Sequence, residues 1–143
     1  MRSTSLAAFV LSTMSALMLA AAPAGAADLK IAVTGVSSAD GTIMVALYNS
    51  AETYQQKPFR ATAVQAVAGT TQIEFKDLPA GDYAFSLFHD ANGNGKMDAN
   101  PYGVPTENYA FSNNAMGKYG PPEFEAARFA LPADGAVHSV SLH

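Results

Sequence analysis

Seven short runs of alternating apolar residues, separated by Gly, Pro, Asn and Asp clusters, constrain this chain more than any other feature. Leu29–Val33 and Gln72–Lys76 carry the period of two that makes a half-buried strand, and Ile43–Tyr48, Thr62–Val67, Tyr83–His89, Glu125–Leu131 and Val137–Leu142 also read as strands between the turn clusters. Ile43, Val45 and Leu47 share one face of their run, with Met44, Ala46 and Tyr48 on the other. Ile73 and Phe75 point inward from flanking polar residues, as do Tyr83, Phe85 and Leu87. The clusters Ser38–Gly41, Asp77–Asp82 and Pro132–Gly135 supply turns, and Gly41 can take the positive φ such turns demand. The runs around Leu29–Val33 and Ile43–Tyr48 read as a hairpin. Ser50–Arg60 has no period and contains Pro58, which makes it a loop or a short helical excursion. The expected fold is all-β, a single antiparallel β-sandwich of about seven strands, with a long ordered loop after Tyr83–His89.

The first 26 residues read as an export signal rather than as part of that domain. Arg2 gives a positive start, Leu6–Ala22 is an apolar run, and Pro23 breaks it ahead of the small residues Ala24, Gly25 and Ala26. Cleavage there leaves residues 27–143 as one β-sandwich domain in the periplasm or outside the cell, with no membrane span. The chain's formal charge is already −4, and losing Arg2 makes it more acidic. Such a domain lacks the basic footprint of a nucleic-acid binder. Cysteine is absent, which excludes disulfides, thiolate metal sites and thiol nucleophiles. Stability has to come from packing or from a bound ion.

The segment Asp90–Pro122 is rich in Asn, Gly, Pro and Tyr, and is too long for an idle connection. It opens with Asp90-Ala91-Asn92-Gly93-Asn94-Gly95-Lys96-Met97-Asp98. Side-chain oxygens stand at positions 1, 3, 5 and 9 and glycine at 6, the spacing of an EF-hand-type calcium loop. A hard dication needs six or more oxygens at short range, and alternate residues of a tight bend can aim them at one centre. Asp90, Asn92, Asn94, the Lys96 carbonyl and Asp98 are the candidate ligands. Pro101 stands where the bidentate glutamate of such loops belongs, so Glu107, or less directly Glu123, would complete the set. The low ligand charge points to weak, structural calcium binding, on the order of 10⁻⁴–10⁻³ M. The competing reading is a metal-free turn, because Asn-Gly pairs form turns unaided.

Tyr102, Tyr109, Phe111 and Asn113 head a second cluster of rings, amides and glycines that extends through Phe124. Rings stack and amides orient, so these residues could meet a sugar or a peptide; equally, they could close one end of the sandwich. Enzymatic signatures are missing. There is no Gly-x-Ser-x-Gly elbow, phosphate loop, His-Glu-x-x-His or dinucleotide fingerprint, and His89, His138 and His143 read as structural. The expectation is a non-catalytic accessory of the envelope that binds calcium and meets a protein or glycan partner. The alternative is a metal-free module for a small ligand or glycan.

Several motifs in order resemble the bacterial exported family known as domain of unknown function 2141. They are Leu78-Pro79-Ala80-Gly81-Asp82-Tyr83, Phe88-His89-Asp90 with the run to Asp98, Gly103-Val104-Pro105, Tyr109–Asn114 and Gly120–Phe124. The resemblance covers nearly all of residues 27–143 and implies a small exported domain without an assigned activity. The Leu-Pro-x-Gly-x-Tyr unit is also similar to those of transthyretin-like and collagen-adhesin-repeat sandwiches, which bears on fold alone.

Overall fold

A computed structural model describes residues 26–143. The expected export signal therefore lies, apart from Ala26, outside the described residues. Alternating burial runs through β1 (Ala27–Val36), β2 (Thr42–Tyr48), β3 (Arg60–Gln65), β4 (Gly69–Leu78) and β5 (Gly81–Asp90). Two short strands, β6 (Tyr109–Phe111) and β7 (Phe129–Leu131), precede the last strand, β8 (Ala136–Ser141). A helical turn, α1 (Phe124–Ala127), leads into β7. Among the described residues, no helix is long and apolar enough to cross a membrane.

The strands form two sheets. One has three strands in the order β4-β1-β8; the other has five, with β3-β2-β5-β6 side by side and β7 also paired to β5. Leu29, Ile31 and Val33 of the first sheet and Ile43, Val45 and Leu47 of the second belong to one buried cluster. Phe85 is fully buried in it, edge-on to Phe129 at 5.8 Å. Each such side chain contributes about 1.5–3 kcal/mol by leaving water.

Three expectations require correction. β1 and β2 do not form a hairpin: β1 pairs with β4 and β8, whereas β2 pairs with β3 and β5. Alternation fixes which residues turn inward but not which strand lies alongside, and the inward set is equally buried when the chain crosses between sheets. The architecture is not purely antiparallel, because β8 returns beside β1 in parallel, a pairing only a long connection allows. Glu125–Leu131 is not one strand. Its Glu-Ala-Ala start favours a helical turn, and Arg128 ties that turn down through Glu125 at 3.0 Å and Asp82 at 3.1 Å.

Two polar contacts hold the crossings. The Tyr83 hydroxyl donates to the Pro79 carbonyl at 2.6 Å, a tyrosine-corner arrangement that fixes the step from β4 to β5. Ser112 is fully buried where β6 ends. Its Oγ accepts the Phe85 N–H at 3.0 Å and donates to the Ala127 carbonyl at 2.6 Å, joining β5 to α1. Replacing Ser112 with Ala strands both backbone groups in the interior. The substitution should cost about 1–3 kcal/mol, read as a lower urea midpoint with an unchanged m-value.

Candidate functional site

β5 ends at Asp90, and the chain then bends back on that residue's own carboxylate. Asp90 is 2% exposed; its Oδ1 accepts the Asn94 N–H at 3.2 Å and its Oδ2 the Gly95 N–H at 2.8 Å. Gly93 and Gly95 take φ of 70° and 74°, left-handed values that let successive N–H groups face one carboxylate. Gly41 is needed for closeness as well as for its φ of 65°, since a Cβ there would overlap the Asp90 carbonyl. His89, also buried, meets the Asp40 carbonyl at 2.7 Å through Nε2, so the Ser38–Gly41 turn is clamped to the start of the loop.

The remaining candidate ligands join the same network. Asn92 Oδ1 accepts the Asn94 N–H at 3.3 Å and Asn94 Oδ1 the Lys96 N–H at 3.0 Å. Their amide nitrogens both donate to the Asp98 carboxylate, that of Asn94 at 2.7 Å. These bonds, from Asn94 first and then Asn92, hold the Asp98 carboxyl below its ordinary pKa. The chain returns through Ala99 and Pro105, which form an isolated bridge, and Glu107 Oε2 accepts the Asp98 N–H at 3.1 Å. Thus Asp90, Asn92, Asn94, Lys96, Asp98 and Glu107 are brought together. Glu123 is not part of this set; it stands immediately before α1.

Glu107 is the anomaly. Its Oε1 is buried without a hydrogen-bond partner, and burial, reinforced by the charges of Asp98 and Asp90, pushes its pKa up. Among the described residues, no three His, Asp or Glu side chains cluster tightly enough to hold a metal by themselves. Any ion here needs the asparagine oxygens as well. The donor chemistry fits a hard cation, since each engaged carboxylate and amide oxygen keeps a second lone pair and Glu107 Oε1 keeps both.

The second cluster divides. Asn113, at φ 62°, spends its amide on the carbonyls of Ala126 at 3.2 Å and Arg128 at 2.9 Å. Its amide nitrogen is thereby engaged within the fold. Tyr109 and Phe111 lie on β6, edge-to-face at 5.9 Å, and Tyr102 is almost fully exposed at the tip of the returning loop. All three rings border a trough of about 950 Å³ on the outer face of the five-stranded sheet. The trough lies within the usual size range of ligand pockets. Its floor is set by register: Ala63, Met44, Phe88 and Tyr109 form one row across the four strands, and Ala61, Ala46, Ser86 and Phe111 the next. The loop residues Met97, Tyr102 and Val104 wall one part and the Gly117–Pro121 segment another. Of the floor residues, the sequence pattern marks only Tyr109 and Phe111 as site candidates; those on β2, β3 and β5 it does not. The signal was present, because β2 and β5 read apolar on both faces, as strands covered on both sides do.

A family model described as an uncharacterized protein conserved in bacteria, domain of unknown function 2141, matches residues 31–139. The chain belongs to that family. Comparison with curated proteins and with solved structures gave no match.

The strain at Glu107 gives a measurable consequence. Glu107→Gln removes the charge whose burial and repulsion by Asp98 and Asp90 raise the Glu107 pKa, so the cation-free protein should melt at higher temperature at neutral pH. A buried carboxyl with a raised pKa destabilises the fold once ionised, and that cost disappears as pH falls. The gain should therefore shrink to nothing below the ordinary glutamate value of 4.5. Thermal melts of both proteins across this pH range check it.

Proposed function

We propose that the protein is an exported, non-catalytic β-sandwich domain of the bacterial envelope whose Asp90–Glu107 loop binds calcium. The observation that carries this reading is the partnerless, buried Glu107 Oε1 beside a loop already folded around Asp90 and Asp98. A dication there would offset the charges of Asp98 and Asp90, which reinforce the raised pKa of Glu107. Asp90, Asn92, Asn94, Asp98 and Glu107 would supply side-chain oxygens and Lys96 its carbonyl, as the spacing suggests. The ion's role would be structural: it would fix the returning loop that carries Tyr102 and Val104 to the rim of the trough. Export is supported by the leader-like composition of residues 1–26.

The trough favours a second reading, a small-ligand module, in which Tyr102, Tyr109 and Phe111 contribute and Asn113 does not. A glycan is the poorer ligand for it, since the amide that would orient a sugar is already engaged.

Calcium added to chelator-treated protein should raise its stability. With a dissociation constant on the order of 10⁻⁴–10⁻³ M, 10 mM calcium should add about 1.4–2.7 kcal/mol. Asp98→Asn and Glu107→Gln should each abolish most of that increment. Equal melting curves with and without calcium would overturn the reading.

A further inference from the structure

We propose that the trough on the outer face of the five-stranded sheet binds a long-chain carboxylate, with its tail over Ala61, Ala46 and Ser86 and its head at Lys118. This proposal does not depend on whether the loop holds a cation.

The register makes a channel rather than a flat patch. Ala61 faces Ala46 and Ala46 faces Ser86, so three small side chains lie in one line perpendicular to the strands. Met44 and Phe88 rise on one side of that line, Tyr48 borders it on the other, and Phe111 stands at its β6 end. Neighbouring rows on a sheet face are about 6.7 Å apart, so the depression is one residue wide. Crossing from β3 to β6 takes three strand spacings, about 14 Å. A narrow apolar channel of this length accepts one extended alkyl chain. A sugar would leave its hydroxyls against alanine and methionine, with the desolvation cost that follows.

The outer face of the other sheet shows that this apolarity is particular to one side. There the outward positions are mostly polar, with Asp28, Lys30 and Thr34 on β1, Thr70, Gln72, Glu74 and Lys76 on β4 and Ser139 and Ser141 on β8, and only Ala32 and Val137 are apolar. On the trough side, Lys118 is the one residue of formal charge along the wall, and none of the salt bridges among the described residues engages it. It stands in a turn closed so tightly that a Cβ at Gly117 would overlap the Gly120 carbonyl, which presents Lys118 and Tyr119 together. One cation on an otherwise uncharged wall, in an acidic protein, selects a monoanionic head group.

Laurate, below its critical micelle concentration, is the probe, with dodecanol as the uncharged control. Isothermal titration is run on the full-length protein in chelator, because free calcium precipitates laurate as its soap. Saturable 1:1 laurate binding, tighter than that of dodecanol, is expected. Lys118→Met should weaken laurate roughly three- to tenfold and leave dodecanol unchanged. Ala46→Phe should block both ligands; Ala61→Trp, on the exposed edge strand, does the same if the first variant fails to fold. Absence of saturable binding overturns the proposal. So does binding that survives the channel-filling variants, or equal affinity for acid and alcohol. A wild-type dimer that dissociates in Ala61→Trp but not in laurate would assign the trough to a second copy instead.

Discussion

The carboxylate of Asp90, enclosed at the end of the central strand β5 and held by the Asn94 and Gly95 N–H groups, governs the conformation of the loop that follows. A buried carboxylate needs partners, and here they come from backbone that would otherwise have none of its own. Two glycines with positive φ make that possible, and Gly41 lets a neighbouring turn close over the same point. Once Asp90 is fixed, the asparagines two and four residues on converge on Asp98, and Asp98 in turn draws in Glu107. The network is satisfied except at its last member.

This arrangement joins the loop to the sheet face beside it. The backbone between Asp98 and Glu107 is the same backbone that presents Tyr102 and Val104 to the trough. A contact that stiffens the loop therefore also sets the height of one wall. The β6 strand performs the matching task on the far side, where Ser112 ties it to β5 and α1 while Phe111 ends the row of small side chains. Polar contacts at the sheet ends thus shape an apolar channel between them.

Much of this could be read from the residues in order, and the failures have physical causes. Inward and outward faces of β1, β2, β4 and β5 followed from alternation, because burial on one face leaves a period of two. Strand partners did not, since Ile31 and Ile43 can share a core from one sheet or from two. β6 is only Tyr109–Phe111, too short to show a period, and β7 was merged with the helical turn before it. The loop residues Asp90 to Asp98 were legible because oxygen donors at alternate positions form a local pattern. Glu107 lies outside that local pattern and is indicated only by Pro101 standing where a carboxylate is needed. The trough is not legible from sequence although Met44, Ala46 and Tyr48 share one face: its floor depends on Ala46 lying opposite both Ala61 and Ser86, and such register is a property of the folded sheet.

The hydrogen bonds of the Asp90–Glu107 segment join Asp90 at its root to Glu107 as its unsatisfied member, which is the donor set proposed for calcium. Backbone amide NMR during a calcium titration tests this most directly. Saturable shifts and slowed hydrogen exchange are expected at Asn94, Gly95, Lys96 and Asp98, with the three-stranded sheet unaffected. Small, non-saturating shifts spread over the acidic surface, with exchange at Gly95 unchanged, would contradict it.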